Sequence, residues 1–296
     1  MFPSARDEGR HPPGAEPEWE ESWQFDAVLP NASLGVSLRL ALRGGRAWWW
    51  TSVAGARRDL VAVRDHDVDP PRGTALELRA SGLWAELTCE TPLDHWSAGL
   101  EAFGVALDDP AEAYGDERGQ PMPVGLDLEW EALGACWPFS GSAGYGQPCA
   151  VHGEVLLGSE RIAIDGPGAR THLWGVRRWW DQPWWQVHGR LDDGAAFWVS
   201  GSDDTSGGGA WYGPGTSEPV AVTAGLARAE GDGALLRRGT VTVGETRLDM
   251  TVAAHAPVVV PGPGGRISRF WRGLVGVEAE DGRRGAGWWE RLSPGA

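Results

Sequence analysis

The sequence predicts an all-β protein made of two halves of similar size. Hydrophobic and polar residues alternate with a period of two along most of the chain, and helical periodicity is rare. Turn signals rich in glycine and proline return about every ten residues, which is typical of short strands in a sandwich or barrel. The chain has 296 residues, 42% of them hydrophobic, so it is long enough to bury one large core or two ordinary ones.

The first half is predicted to be a meander of strands with one short helix. Alternating segments bounded by turn residues predict strands over residues 22–29, 34–42, 47–53, 59–63, 74–80, 83–90 and 124–132. Asp109 precedes Pro110, which suits the first position of a helix, and helix-forming residues follow as far as Tyr114. We therefore expect the helix at 109–114.

A second series of strands is predicted after the Gly/Ser/Pro-rich stretch 140–148. These strands cover residues 150–157, 161–165, 169–176, 184–191, 195–201, 220–229, 235–243, 246–254, 267–279 and 285–292. The glycine-rich stretch 202–219 predicts a long surface loop, with a lid as the alternative. The expected organisation is a flexible N-terminal segment at 1–17, a β domain at 18–146 and a second β domain at 147–296.

The composition excludes several functional classes. All 26 basic residues are arginines, and a chain without lysine cannot form a Walker A phosphate loop, a kinase phosphate site, a Schiff base or a pyridoxal anchor. The formal net charge of −15 repels nucleic acids and anionic lipid surfaces. We therefore expect no nucleic-acid partner.

The N-terminus and the cysteines favour a cytoplasmic protein. The first residues lack the basic start and apolar run of a signal peptide, and no segment approaches the roughly 18 apolar residues of a membrane-spanning helix. Cys89, Cys136 and Cys149 are odd in number and have no metal-ligand spacing. Asp65-His66-Asp67 is set aside as a metal site because adjacent residues point in different directions. We expect no metal and no cofactor.

Tryptophan is the main anomaly of the composition, with 19 residues against three tyrosines and six phenylalanines. One interpretation is that the indoles form the core and an interface between the two halves, since burial of aromatic residues is ordinary. The other is that these wide, rigid rings line a pocket for an apolar small molecule. The sequence leaves both interpretations open.

The densest tryptophan cluster includes residues 170–179, which read Arg-Thr-His-Leu-Trp-Gly-Val-Arg-Arg-Trp. In a strand over 169–176, Arg170, His172 and Trp174 would share one face, with Thr171 and Leu173 on the other. Because Trp174 beside a histidine would expose apolar surface to water, we expect the first face to look into a lumen or onto the other half. Gly175 would form a bulge or a close backbone approach.

The same ten residues resemble the signature Arg-Asp-His-Ser-Trp-Gly-x-Arg-Asp-Trp of a bacterial family of unknown function. That family belongs to the group of carotenoid 1,2-hydratase (hydroxyneurosporene synthase), AttH-like and tocopherol-cyclase-like proteins. Weaker matches occur at 18–23, 124–132, 145–148 and 285–290, so the resemblance covers most of the chain. It implies two lipocalin-like β-barrel domains packed together and apolar, often isoprenoid-like, ligands.

The chain departs from the signature at both acidic positions, which are occupied by Thr171 and Arg178. Hydration of an alkene needs a proton donor, and threonine supplies none near neutral pH. The loss favours binding over turnover. Glu290, in the last aromatic strand, has two interpretations: a buried acid with a raised pKa, or a surface glutamate paired with Arg291 or another arginine.

Three functional hypotheses follow. The first is a cytoplasmic protein that binds an apolar small molecule in a Trp-lined cavity, with Arg177 or His172 contacting a polar end of the ligand. The second is a hydratase, cyclase or isomerase in which His172 and Glu290 act as catalytic acids or bases; for His172, a purely structural role is the alternative. The third is a scaffold paralogue without a reaction. The candidate ligand-binding residues are Arg170, Trp174, Arg177, Trp179, Trp185 and Trp23.

Overall fold

The computed structural model describes residues 3–139, 143–202, 206–232 and 235–295, and it confirms the all-β prediction. Within these ranges, helical structure is limited to short 3-10 turns at Ala5–Glu8, Pro30–Ala32, Pro110–Tyr114 and Pro263–Gly265. The predicted helix at 109–114 is therefore a single 3-10 turn, capped by the Asp109 side chain, which accepts from the Ala111 amide at 2.9 Å. In the described part of the chain, no helix has the length and apolar character needed to cross a bilayer.

The first sheet is antiparallel and has eleven strands. Its strands are β1 (Trp19–Val28), β2 (Leu34–Arg43), β3 (Arg46–Gly55), β4 (Arg58–Val68), β5 (Leu76–Ala80), β6 (Leu83–Thr91), β7 (His95–Leu107), β8 (Gln120–Ala132), β9 (Trp137–Pro138), β10 (Ala143–Leu157) and β11 (Glu160–Val176). The order is β4-β3-β2-β1-β11-β10-β8-β7-β6-β5, with β9 on β10. A short pairing of β4 with β7 curls the sheet back on itself, and we call this unit the first barrel.

The second sheet has nine strands and forms the second barrel. Its strands are β12 (Trp184–Leu191), β13 (Ala196–Gly201), β14 (Gly207–Tyr212), β15 (Val220–Asp232), β16 (Leu235–Val243), β17 (Thr246–His255), β18 (Val258–Pro261), β19 (Ile267–Ala279) and β20 (Arg284–Ser293). Pairing of β17 with β19 closes all of them except β18 into an antiparallel barrel.

The chain changes sheets between Val176 and Trp184, not near residue 146. Strands β10 and β11 pair with β8 and β1 of the first sheet, so the signature at 170–179 begins in the first barrel and ends in the connection to the second. The stretch 140–148, expected to separate the halves, contains the start of β10; residues 140–142 lie outside the described part of the chain. The Gly/Ser/Pro composition does not mark a boundary here, because Gly144 packs against the backbone of β11 and Gly146 against the Trp198 ring, where a Cβ would clash.

The expected loop or lid at 202–219 is also wrong in its central part. Residues 207–212 form β14, a strand between β13 and β15, whereas residues 203–205 lie outside the described residues. A Cβ on Gly209 would lie only 1.8 Å from the Trp198 carbonyl oxygen, so glycine is required here by strand packing rather than by loop flexibility.

Alternation along β1 decides which residues enter the first barrel. Trp23 and Phe25 point inward and join Trp49, Trp96 and Trp130 in one buried core. Gln24 and Asp26, on the opposite face, meet the second barrel. The second barrel has its own core with Trp185, Trp271 and Trp289. Many indoles therefore fill cores, as the first interpretation of the tryptophans predicted.

Candidate functional site

The two faces of β1 and β11 serve different parts of the structure. Trp23 pairs with His172 and Phe25 with Arg170, so both members of each pair point to the lumen of the first barrel. Thr171 belongs to the alternate face, which looks toward the second barrel. The expected separation of the signature into two faces is therefore correct. Pairing across Gly175 is uninterrupted, so the expected bulge is absent there.

A buried network of charged side chains joins the two barrels. Arg272 of β19 bonds Asp26 of β1 through Nη2 at 2.8 Å, and its Nε donates to Glu290 Oε1 of β20 at 2.8 Å. Gln24 Nε2 donates to both carboxylates, at 3.0 Å to Asp26 and 2.8 Å to Glu290. All these side chains are buried, so each charge is offset by a partner and a hydrogen bond rather than by water.

The network lowers the pKa of the Asp26 carboxyl. Burial by itself raises this pKa, but the positive charge of Arg272 and the hydrogen bond with His188 outweigh it. His188 Nε2 of β12 lies 3.4 Å from Asp26 Oδ2, and its ring stacks on Trp198. The Asp26 carboxyl therefore stays ionised in the folded protein at pH values well below the ordinary pKa of an aspartate.

We expect Asp26→Asn to destabilise the protein less at pH 3 than at pH 6. Because the folded-state pKa is below the unfolded value, Asp26 contributes stability above the unfolded pKa, and this contribution is lost as pH falls toward the folded pKa. Urea unfolding of wild type and variant at both pH values measures the difference. A gap between the two proteins that does not change with pH would contradict this.

A cavity of about 520 Å³ lies beside this network, between the outer face of the first sheet and strands β12 to β14. The first sheet contributes Gln24, Arg39, Thr171 and Leu173 to its wall, and the connection between the barrels contributes Arg177. The second barrel contributes mainly Trp184, Trp185, Gln186, Trp198 and Glu290. Ser206 and Ala221 at its rim are exposed, so the cavity reaches solvent.

Arg177 is the distinctive group of this cavity. Its guanidinium lies 5.1 Å from the ring centroid of Trp179 and 6.0 Å from that of Trp184, and burial lowers its pKa to about 10, so it is a cation at neutral pH. Among the described residues, no side chain forms a hydrogen bond or ion pair with it. By contrast, the neighbouring cation Arg39 is held by Glu20 at 2.8 Å and Ser22 at 2.7 Å.

The structure brings three of the predicted site residues to the cavity: Arg177, Trp185 and Glu290. Trp179 is buried behind it, where its Nε1 donates to Glu20 at 2.8 Å and its ring packs on Arg177. The expectation of a surface glutamate at 290 is wrong, because Glu290 is 2% exposed and pairs with Arg272.

The other four predicted site residues, Arg170, His172, Trp174 and Trp23, lie on the lumen side, away from the cavity walls. The N-terminal segment covers them: Glu8 bonds Arg170, the Asp7 carbonyl contacts His172, and His11 stacks on Trp174. The stretch expected to be flexible thus makes buried contacts. The pocket expected around Trp174 is filled by these side chains.

Sequence reasoning missed several cavity residues, namely Gln24, Arg39, Trp184, Gln186 and Trp198. The available signal was the alternation of polar residues with buried aromatics along 22–26. It could not identify the cavity, because a strand that faces water and a strand that faces another barrel have the same sequence pattern. In the sequence, Thr171 stands out only as a departure from the signature. It lies in the cavity wall.

The donor set determines what the cavity can do chemically. Arg177 can bind an anion or a carbonyl oxygen, and the indoles offer flat apolar faces. Glu290 accepts hydrogen bonds from Arg272, Gln24 and, at 3.3 Å, Gln186.

Comparisons with known proteins agree with this architecture. An AttH-like protein from Nitrosomonas europaea is 14% identical with a TM-score of 0.64, covering 96% of this chain and 95% of that one. Kievitone hydratase from Nectria haematococca is 9% identical with a TM-score of 0.58, covering 92% and 88%. CghA is 13% identical with a TM-score of 0.56, covering 94% and 89%.

At these identities the similarities show a shared fold, which is that of AttH-like and hydratase-like proteins. No curated protein sequence matches the chain. A family model matches residues 4–294, and the chain therefore belongs to the family described as a domain of unknown function, DUF7064.

Proposed function

We propose that the cavity between the barrels binds an apolar small molecule that carries an anionic or carbonyl group. The observation that supports this most directly is Arg177, a cation between two indoles without a side-chain partner among the described residues. The Arg177 side chain is only partly buried, and a ligand oxygen would give its guanidinium the charged hydrogen bond that no described side chain supplies.

The size and lining of the cavity support the same proposal. A volume of about 520 Å³ lies within the roughly 300–1,000 Å³ of typical small-molecule sites. Trp184, Trp185 and Trp198 provide apolar surface, and Arg39, Gln186 and Glu290 are among the polar side chains that share the wall with them. The resemblance to the carotenoid hydratase and tocopherol-cyclase group suggests isoprenoid-like ligands, and a cytoplasmic location remains part of the proposal.

We expect Arg177→Gln to weaken binding of a carboxylate-bearing ligand about 10- to 100-fold, the value of one charged hydrogen bond. Quenching of tryptophan fluorescence during titration with isoprenoid acids, fatty acids and steroid acids measures affinity, since the indoles of Trp137, Trp184, Trp185 and Trp198 line the cavity. Arg178→Gln is the matched control, because Arg178 is 57% exposed and pairs only loosely with Asp181 at 3.6 Å. Equal affinities of the two variants, or no quenching by any compound, would contradict the proposal and favour a scaffold role.

A second candidate function is a lyase or isomerase that acts in the same cavity. The observation that favours it is Glu290, a buried carboxylate in the cavity wall. One protein of the same fold is named kievitone hydratase. Glu290 would act as a base, whereas His172 lies on the opposite face of the sheet and would not reach the substrate.

For this alternative, Glu290→Gln would abolish turnover of a bound ligand while its binding persists, and His172→Gln would leave turnover intact. Mass spectrometry of ligands incubated with each protein detects addition, loss or rearrangement. An unchanged ligand with wild type would leave binding as the function.

A further inference from the structure

His11, Glu21 and His172 form a compact cluster at the mouth of the first barrel, on the face opposite the cavity. Glu21 Oε1 lies 2.8 Å from His11 Nδ1 and 3.0 Å from His172 Nε2. One potential donor atom from each of the three residues lies within 4.8 Å of the others. Glu21 and His172 are each 1% exposed, so water does not compete for these atoms.

A neutral His172 has one proton too few for its two contacts. Its Nδ1 lies 2.8 Å from the Asp7 carbonyl oxygen, and its Nε2 faces the Glu21 carboxylate. Both oxygens are acceptors, but a neutral imidazole has a single N–H. If Nδ1 donates to the carbonyl, the Nε2 lone pair points at a carboxylate oxygen, which is repulsive unless a cation lies between them.

The outer contact of His172 matches that of a metal ligand. A ligating histidine normally donates its second ring N–H to a carbonyl or carboxylate, which fixes its orientation. His172 has the Asp7 carbonyl in that position at 2.8 Å, whereas His11 Nε2 lies 3.7 Å from the Asp7 carboxylate, beyond hydrogen-bond distance. The indoles of Trp23 and Trp174 stack on the two rings and hold them in place.

We propose that His11, Glu21 and His172 bind a divalent transition-metal ion, most simply Zn²⁺, which fastens the N-terminal segment to the first barrel. Two imidazoles and a carboxylate are a zinc donor set, and a tetrahedral ion separates its donor atoms by about 3.3 Å. The separations of 2.8 and 3.0 Å would open by only a few tenths of an ångström. The three ligands come from the segment before β1, from β1 and from β11.

The test is zinc binding by the full-length protein after treatment with a chelator. Elemental analysis after dialysis against zinc should find one tightly bound equivalent, and Co²⁺ should give the visible absorption of a tetrahedral site. Zinc should also raise the thermal unfolding midpoint, because a ligand that binds only the folded state stabilises it. His11→Ala should lose the tight site and the thermal shift.

His152→Ala is the matched control, since His152 faces Asp165 at 3.3 Å in an exposed pair. This variant should bind zinc like wild type. His11 is partly exposed, so its replacement is expected to leave the barrel folded, which circular dichroism verifies. Wild type that binds zinc no more tightly than His11→Ala would overturn the proposal and leave a hydrogen-bonded cluster.

Discussion

Arg272→Ala is expected to lower the free energy of unfolding by about 3–5 kcal/mol, the usual loss when one partner of a buried ion pair is removed. The variant would leave Asp26 and Glu290 buried without their shared cation. It would also remove a guanidinium that lies 4.6 Å from the ring centroid of Trp288. Chemical denaturation at pH 7 measures the loss.

The matched control for Arg272 is Arg284→Ala. Arg284 is 73% exposed and lies 3.5 Å from Glu278, so its removal should cost less than about 1 kcal/mol. A double variant with Asp26→Asn should lose less stability than the sum of the single changes, because the two residues act on each other directly. Similar losses in Arg272→Ala and Arg284→Ala would show that the network does not hold the barrels together.

Glu8→Ala is expected to cost a similar amount, about 3–5 kcal/mol, although residue 8 is near the N-terminus. Glu8 accepts from Arg170 Nη2 at 2.7 Å and from Trp96 Nε1 at 2.7 Å, and it is 4% exposed. Its loss would leave the Arg170 cation in the lumen with Gln147 Oε1, at 2.7 Å from its Nε, as a neutral partner. The N-terminal segment should then become accessible to proteases under native conditions.

Glu16→Ala provides the comparison for Glu8, since Glu16 is an exposed acid of the same segment. The Glu16→Ala variant should have the same denaturant midpoint of unfolding as wild type and should resist proteolysis as wild type does. Equal behaviour of the two variants would mean that the segment contributes no stability through Glu8.

The features that the sequence predicted correctly are local ones. Alternation along 169–176 placed His172 and Thr171 on opposite faces of one strand, and the Asp109-Pro110 pair marked the 3-10 turn at Pro110–Tyr114. These predictions succeed because they depend on neighbouring residues and on the geometry of one strand. The loop predicted at 202–219 is wrong in its central part, because the sequence does not distinguish glycines packed inside a sheet from glycines in a loop.

The sequence by itself determined the all-β class and the positions of most strands, and it left the tryptophans open between core and pocket wall. Only the tertiary structure decided which face of β11 meets a cavity, because both faces are buried and a one-dimensional pattern cannot distinguish a lumen from an interface. It also decided the ion pairs: Asp26 and Arg272 are 246 residues apart, and Glu8 and Arg170 are 162 apart. Such pairs form only when the two barrels and the N-terminal segment come together, so no local propensity encodes them.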